Sequence, residues 1–102
     1  MNILITGGSG FLGSALVSAL SKAGNNTIAL NSQDADLTIQ NSLSKFNNTH
    51  FDFIYHLAAW TQAGDFCLKH PGEQWLNNQK INTNVLDWWK NHQPNAKLIA
   101  MG

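Results

Sequence analysis

The chain has 102 residues, of which 43% are hydrophobic and 12% charged, and its formal net charge is zero. This length allows one domain, and the composition excludes a disordered tail, which would be richer in polar and charged residues. All six basic residues are lysines and they form no basic stripe, so neither nucleic acid nor an anionic membrane surface is an expected partner.

The sequence has neither the run of ~20 apolar residues that a membrane span requires nor a basic region ahead of its first apolar stretch, as in a signal peptide. Cys67 is the only cysteine, so it forms no internal disulfide, and it is interpreted as a small hydrophobic residue. These features predict a cytoplasmic protein. No metal site is predicted, because no pair of histidines has i, i+4 spacing.

The first half of the chain predicts two strands and two helices. Ile3 to Thr6 is apolar on both faces, which is typical of a buried parallel strand. A helix with Gly24 as its left-handed cap follows, and Thr27 to Leu30 predicts a second strand. A short helix is predicted over Ile39 to Phe46, with Thr38 as its N-cap. The inner face predicted for the first helix comprises Phe11, Leu12, Ala15, Leu16, Ala19, Leu20 and Ala23.

The second half predicts a strand over Phe51 to Ala59, a long helix over residues 74–92 and a strand over Lys97 to Met101. Strands that alternate with helices indicate an α/β domain with a parallel sheet and right-handed crossovers. We predict a Rossmann-like half domain over residues 1–102, with the strand order 3-2-1-4. The inner side predicted for the long helix comprises Trp75, Asn78, Ile81, Asn82, Val85, Leu86 and Trp89.

Three of the four glycines in ILITGGSGFLGS, residues 3–14, have the spacing Gly-x-x-Gly-x-x-Gly between the first strand and the first helix, at Gly7, Gly10 and Gly13. Such glycines permit a tight turn, a close backbone approach to a pyrophosphate and close helix–strand packing. The helix N-terminus then offers N–H groups and a positive dipole end to phosphates. A mononucleotide phosphate loop is disfavoured, because Ser14 follows Gly13 directly and the phosphate-binding lysine is absent. A glycine-rich turn without a ligand is the remaining alternative.

Four motifs in order carry a family resemblance: TGGSGFLG (residues 6–13), HLAAWTQ (56–62), NNQKINTNVLDWWK (77–90) and KLIAMG (97–102). The first resembles the TGxxGxxG fingerprint of the extended short-chain dehydrogenases/reductases, also called the NAD-dependent epimerase/dehydratase family. The others resemble the segment after its third sheet strand, its Asn-bearing helix and the strand that leads to its catalytic serine. The nearest resemblance is to sugar-nucleotide reductases and epimerases, the group that includes the GDP-fucose synthases.

The resemblance implies an NAD or NADP site formed around the fingerprint glycines. The backbone N–H groups that would meet the pyrophosphate are those near Gly10, Phe11 and Leu12. The residues implied for the adenosine ribose are Asn31 and Ser32, and those for the adenine are Asp36 and Leu37. The residues implied for the nicotinamide ribose are Leu57, Ala58 and Ala59. Asn78 would support the active site, and Met101 and Gly102 would lie at its edge.

Both NAD and NADP remain open at this point. Asp34 lies roughly 20 residues past the fingerprint, the distance of an acid that binds the ribose 2′-hydroxyl of NAD. Asn31 and Ser32, at the tip of the second strand, are neutral, and the chain has no arginine for a 2′-phosphate. The balance favours NAD slightly, although many reductases of the resembled group use NADP(H).

The catalytic pair implied by the resemblance, Tyr-x-x-x-Lys, is absent, because Tyr55 is the only tyrosine and Ala59 stands four residues later. We therefore expect the amino-terminal part of a longer nucleotide-sugar enzyme, which holds the cofactor but does not catalyse alone. Its substrate in the intact protein would be a nucleotide sugar. The alternative is a non-catalytic assembly module that forms a homodimer through the exposed edge of the fourth strand.

Overall fold

The computed structural model describes residues 1–31, 33–58 and 71–100. All four strands pair in parallel, which confirms the predicted α/β class and parallel sheet. Neither helix in these ranges combines the length and hydrophobicity of a membrane span. The elements are strand β1 (Asn2–Thr6), helix α1 (Phe11–Lys22), strand β2 (Asn26–Leu30), strand β3 (Phe53–His56), helix α2 (Pro71–His92) and strand β4 (Lys97–Ala100).

The strands are ordered β2-β1-β3-β4, so the predicted order 3-2-1-4 is wrong. The prediction placed the third strand outside β2, whereas β3 pairs with β1. The segment between β2 and β3 carries the chain back across β1, because its side chains Leu37, Leu43 and Phe51 join the core that covers Leu4 and Ile54. Hydrophobic periodicity identifies a strand but does not show which edge of the sheet that strand joins.

The two helices lie on opposite faces of the sheet. Right-handed crossovers require this arrangement, because β1-α1-β2 moves toward one edge of the sheet and β3-α2-β4 toward the other. On the α2 face, the parallel register aligns Leu4 with Ile54, and Ile54 with Leu98. The main core on this face comprises Leu4, Leu30, Ala35, Leu37, Leu43, Phe51, Ile54, Ile81, Val85, Trp88 and Ala96.

Helix α1 buries only part of the predicted face, at Leu16 and Leu20. Phe11 is 96% exposed and Leu12 52% exposed, and Ala15 and Ala19 are also exposed. The cause is Gly13, which packs against the Gly7 carbonyl and fixes the rotation of the helix. The side chains that α1 half-buries are Leu16, Val17 and Leu20.

Helix α2 begins at Pro71, three residues before the predicted start, because proline suits the first turn of a helix. Its core stripe includes Ile81 and Val85, as predicted, but also Trp88, which the prediction missed. Trp75 and Leu86, predicted to face inward, are 75% and 44% exposed. The predicted face mixed positions one residue apart, which differ in direction by about 100° around a helix.

The helix predicted over Ile39 to Phe46 is wrong, because the described chain there forms turns and a single 3-10 turn at Ser44–Phe46. Thr38 is not an N-cap, since its N–H and hydroxyl both donate to Oδ1 of Asp36, at 3.0 and 2.6 Å. Such side-chain hydrogen bonds stabilise a turn in competition with a helix. The left-handed conformation of Gly24 is confirmed by its φ of +88°.

Candidate functional site

The carboxyl ends of β1 and β3 lie side by side at one end of the sheet. At this point the chain connections diverge, since β2 flanks β1 on one side and β3 flanks it on the other. Ligands of open parallel sheets bind at such a switch point. The glycine turn follows β1, and Leu57 and Ala58 follow β3, so the two segments meet at this switch point.

Three glycines of the turn are required by close packing. Gly7 has a φ of +73°, and a Cβ at this position would lie 2.8 Å from the backbone nitrogen of Ala58. A Cβ on Gly8 would lie 2.7 Å from Cβ of Ala29, and the Gly8 N–H donates to the carbonyl oxygen of Leu30 at 3.0 Å, which ties the turn to the end of β2. A Cβ on Gly13 would overlap the carbonyl oxygen of Gly7. These glycines therefore bring the two strand ends and α1 together.

Gly10 differs from the other turn glycines, because nothing in the described protein requires it for packing. A Cβ built on Gly10 meets only the carbonyl oxygen of Gly7, at 3.6 Å, and the backbone is extended, with φ −72° and ψ 170°. Gly10 is the N-cap of α1, and no side chain caps the helix. The space that a Cβ would fill therefore opens directly in front of the helix N-terminus.

This N-terminus has the properties of an anion site. The first N–H groups of a helix have no intrahelical acceptor, and the first turn of α1 contains no acidic residue. The helix dipole adds a partial positive charge at the same end. Phe11 and Leu12 begin the helix with exposed apolar side chains, so the anion site has an apolar flank. A phosphate or pyrophosphate beside an apolar group fits this arrangement.

The tip of β2 is a hydrogen-bonded turn between Asn31 and Asp34. Oδ1 of Asn31 accepts hydrogen bonds from the N–H groups of Gln33 and Asp34, at 2.9 and 3.0 Å. Oδ2 of Asp34 accepts one from the N–H of Asn31, at 3.0 Å. Nζ of Lys45 donates to the carbonyl oxygen of Asp34 at 3.2 Å, so a positive and a negative side chain both stand at this tip.

The two residues implied for the adenine have different exposures. Asp36 is exposed, and its carboxylate accepts two hydrogen bonds from Thr38. Leu37 is only 7% exposed and belongs to the core. Its carbonyl oxygen accepts a hydrogen bond from Nδ2 of Asn84 at 2.8 Å. Leu37 is thus available to a ligand through its backbone rather than through its side chain.

Asn78 lies on α2 one turn before Asn82, which contacts the end of β3 through His56. The two residues share one side of the helix because they are four positions apart. Asn78 is half-buried, and its Nδ2 donates to the carbonyl oxygen of Gln74 at 3.1 Å. The predicted residues that lie outside the described ranges are Ser32, Ala59, Cys67, Met101 and Gly102.

A buried polar network at the ends of β1 and β3 was not predicted from the sequence. The hydroxyl of Thr6 lies 2.7 Å from Nδ1 of His56, and Nε2 of His56 lies 2.9 Å from Oδ1 of Asn82. The N–H groups of Leu57 and Ala58 both donate to Oγ1 of Thr6, at 3.1 Å each. Burial lowers the pKa of His56, and the hydrogen bond with Asn82 raises it by less. The sequence carried one signal for this network, because each of these two apolar strands ends in a polar residue, Thr6 in β1 and His56 in β3.

The chain is similar to solved nucleotide-sugar enzymes. A GDP-L-fucose synthetase from Naegleria fowleri, bound to NADP, is 26% identical with a TM-score of 0.82, and the match covers 97% of this chain and 32% of that one. GDP-mannoheptose C4 reductase from Campylobacter jejuni, with NADP bound, is 28% identical with a TM-score of 0.83, over 99% and 30% of the two chains. dTDP-4-dehydrorhamnose reductase from Yersinia enterocolitica is 30% identical with a TM-score of 0.76, over 95% and 33%.

This chain therefore spans 30–33% of the length of these three structures. No curated protein matches it by sequence. The model of the NAD dependent epimerase/dehydratase family matches residues 3–102, which include every described strand and helix apart from the first residue of β1. The parallel sheet and the glycine turn at its switch point agree with that match. The chain belongs to the NAD dependent epimerase/dehydratase family.

Proposed function

We propose that this chain forms the dinucleotide-binding part of a nucleotide-sugar epimerase, dehydratase or reductase, and that it binds NAD or NADP. The observation that carries the proposal is the open space at Gly10, in front of an uncapped helix N-terminus at the sheet's switch point. Similar structures named as GDP-L-fucose synthetase and GDP-mannoheptose C4 reductase contain NADP, which supports the same assignment.

The cofactor's parts are assigned along the carboxyl edge of the sheet. The N–H groups at the start of α1 hold the pyrophosphate, because they lack intrahelical acceptors and Gly10 leaves room for the phosphates. The β2 tip holds the adenosine ribose, and the segment after β3 holds the nicotinamide ribose. The residues proposed for these contacts are Gly7, Gly10, Phe11, Leu12, Gly13, Asn31, Ser32, Asp36, Leu37, Leu57, Ala58, Ala59 and Asn78.

The nicotinamide ring, when bound, supplies hydride transfer to or from a sugar carbon. The residues of this chain bind and orient the cofactor, and we propose that they do not perform the acid–base chemistry. Tyr55, the only tyrosine, lies within β3 with its ring stacked on Phe53 at 6.5 Å, and no lysine stands four residues after it. In this proposal a nucleotide sugar is the substrate of a longer protein.

The test is a titration of the purified chain with NADH and NADPH, followed by nicotinamide fluorescence. Gly10→Ala is the diagnostic variant, because its Cβ fits the protein but occupies the proposed phosphate space. Gly72→Ala is the matched control, since a Cβ there meets nothing within 4 Å and Gly72 also lies at the start of a helix.

We expect saturable binding by the native chain and by Gly72→Ala, and a loss of about tenfold or more in affinity for Gly10→Ala, which is ~1.4 kcal/mol. Gly10→Ala should lower the free energy of unfolding by no more than ~1 kcal/mol, because alanine is a poorer N-cap residue than glycine. The proposal is overturned if the native chain shows no saturable binding of either dinucleotide at millimolar concentration, or if Gly10→Ala binds as the native chain does.

A second candidate is assembly without a cofactor. Strand β4 forms one edge of the sheet and pairs only with β3 among the described strands. An exposed strand edge is a template for pairing with another chain, so a homodimer through β4 is the form this function would take. Sedimentation equilibrium measures it directly. A dimer that persists in a chain that binds no dinucleotide would favour this candidate over the first.

A further inference from the structure

We propose that Thr6, His56 and Asn82 form a positioning relay, in which a neutral His56 protonated at Nε2 holds the Thr6 hydroxyl so that Thr6 fixes the backbone of Leu57 and Ala58. The effect on cofactor binding rests on the function proposed above. The protonation state and the backbone position are properties of the chain without any ligand.

The hydrogen-bond capacity of Thr6 determines the direction of its contact with His56. A threonine hydroxyl has one donor and two acceptor positions. The N–H groups of Leu57 and Ala58 occupy both acceptor positions, at 3.1 Å each, and the Leu57 N–H also donates to the carbonyl oxygen of Thr6 at 3.2 Å. The single hydroxyl proton is therefore donated to Nδ1 of His56, which lies 2.7 Å away. Nδ1 must carry no proton.

The other side of the ring gives the same answer independently. Nε2 of His56 lies 2.9 Å from Oδ1 of Asn82, and an amide oxygen only accepts. Nε2 must therefore carry the ring proton. An imidazolium would place a second proton at Nδ1, where the Thr6 hydroxyl has no acceptor position left for it. The network is complete only with the neutral ring.

The relay acts on the backbone at the switch point of the sheet. Thr6 is fully buried and His56 is 5% exposed, so water does not compete for these hydrogen bonds. The N–H of Ala58, which Thr6 holds, is the group that a Cβ on Gly7 would approach to 2.8 Å. Thr6 thus sets the distance between the segment after β3 and the glycine turn after β1.

Asn82 connects this arrangement to α2. It lies one turn after Asn78, on the same side of the helix. A hydrogen bond from Nε2 of His56 to Asn82 therefore ties the position of α2 to the strand ends. In this way the relay aligns the nicotinamide side of the proposed site with the helix that carries Asn78. None of the three residues is assigned a contact with the cofactor, so each is a positioning residue.

The ligand-free test is long-range proton–nitrogen NMR of the native chain labelled with nitrogen-15, at neutral pH. We expect the His56 ring to show a protonated Nε2 and an unprotonated Nδ1. A ring protonated at Nδ1, or at both nitrogens, overturns the relay. This readout needs no variant and no dinucleotide.

The second test compares Thr6→Ser, which keeps the hydroxyl, with Thr6→Val, which keeps the shape but removes it. We expect Thr6→Ser to retain the native dissociation constant for dinucleotide within about twofold, and Thr6→Val to weaken binding by about tenfold, ~1.4 kcal/mol. The backbone amide NMR chemical shifts of Leu57 and Ala58 should differ from those of the native chain in Thr6→Val but not in Thr6→Ser. The relay is overturned if Thr6→Val and Thr6→Ser have the same dissociation constant for dinucleotide and the same amide chemical shifts at Leu57 and Ala58.

Asn82→Ala keeps the test decisive if Thr6→Val fails to fold, because Asn82 is exposed apart from this contact. We expect it to shift the amide signals of Leu57 and Ala58 and to weaken dinucleotide binding by about threefold, ~0.7 kcal/mol. Unchanged shifts and affinity would count against the relay. If the native chain binds no dinucleotide while the NMR pattern holds, the proposed function fails and the relay's geometry stands.

Discussion

Gly7 and Ala58 meet where two parallel strands end, so closely that a Cβ on Gly7 would lie 2.8 Å from the Ala58 nitrogen. The φ of Gly7 is +73°, a conformation that residues with a Cβ rarely adopt. The contact joins the glycine turn after β1 to the segment after β3. It lies at the switch point of the sheet, where the proposed cofactor site is placed.

Gly7→Ala is expected to lower the free energy of unfolding by more than ~2 kcal/mol, because backbone strain and steric overlap act together. Urea denaturation followed by circular dichroism measures the change. Gly72→Ala is the control, since its Cβ meets nothing and its backbone is helical. A Gly7→Ala chain as stable as the control would show that the strand ends can separate at little cost.

Two tryptophans on α2 should respond very differently to truncation. Trp88 is 6% exposed, packs edge-on against Phe51 at 6.2 Å and donates from Nε1 to Oδ1 of Asn47 at 2.8 Å. Trp75 is 75% exposed. We expect Trp88→Ala to cost about 3–5 kcal/mol of unfolding free energy, and Trp75→Ala to stay within ~0.5 kcal/mol of the native chain.

Urea denaturation of both variants checks this prediction, with circular dichroism as the probe because the substitutions change the fluorescence. Because both residues are tryptophans on the same helix, each variant serves as the control for the other. Similar costs at both positions would contradict the burial difference and would mean that Trp75 is covered in solution.

The charges at the β2 tip should decide between NADH and NADPH. The carboxylate of Asp34 and the ammonium group of Lys45 both stand there, linked through hydrogen bonds to the same turn. Removal of the negative charge should favour a 2′-phosphate, so Asp34→Asn is expected to raise the affinity ratio of NADPH to NADH by about fivefold, ~1 kcal/mol. The asparagine can still accept the hydrogen bond from Asn31.

Lys45→Gln is the opposite variant and should lower the same ratio, because the cation that can attract a 2′-phosphate is lost. Dissociation constants for the two reduced dinucleotides, measured in one buffer at fixed salt, give the ratio. If both variants keep the native ratio, the adenosine ribose does not lie at the β2 tip.

Mild acid should destabilise the chain through His56. Its folded-state pKa is lowered, mainly by burial, whereas an unfolded histidine has a pKa of about 6.5. Below about pH 6.5 the unfolded chain therefore binds a proton that the folded chain does not. Stability from this group is complete above that pH and is lost as pH falls toward the lowered folded pKa.

Urea denaturation at pH 7.5 and pH 5.5 measures this loss, and a His56→Gln variant should lose less stability between the two pH values than the native chain. Exposed His92 provides the control, because His92→Gln should leave the native pH dependence intact. Equal pH dependence in native chain and His56→Gln would show that folding does not change the pKa of His56.

Local sequence patterns were sufficient for the elements that depend on near neighbours. The apolar runs identified all four strands, and the spacing of Gly7, Gly10 and Gly13 placed a turn between the first strand and the first helix. Glycine at position 24 marked the end of the first helix, because its backbone preference is intrinsic to the residue.

Tertiary contacts decided the remaining features. Strand order depended on where Leu37, Leu43 and Phe51 could be buried, which no local pattern records. The contact of Gly13 with Gly7 decided which face of α1 is exposed. The burial of Trp88, and not of Trp75, decided which face of α2 joins the core. Sequence by itself therefore determined the strands, the glycine turn and the family. Only the tertiary structure decided which strands are neighbours and which helix faces are buried. It also placed His56 between Thr6 and Asn82. These features depend on burial and hydrogen bonding between residues that lie far apart in the chain.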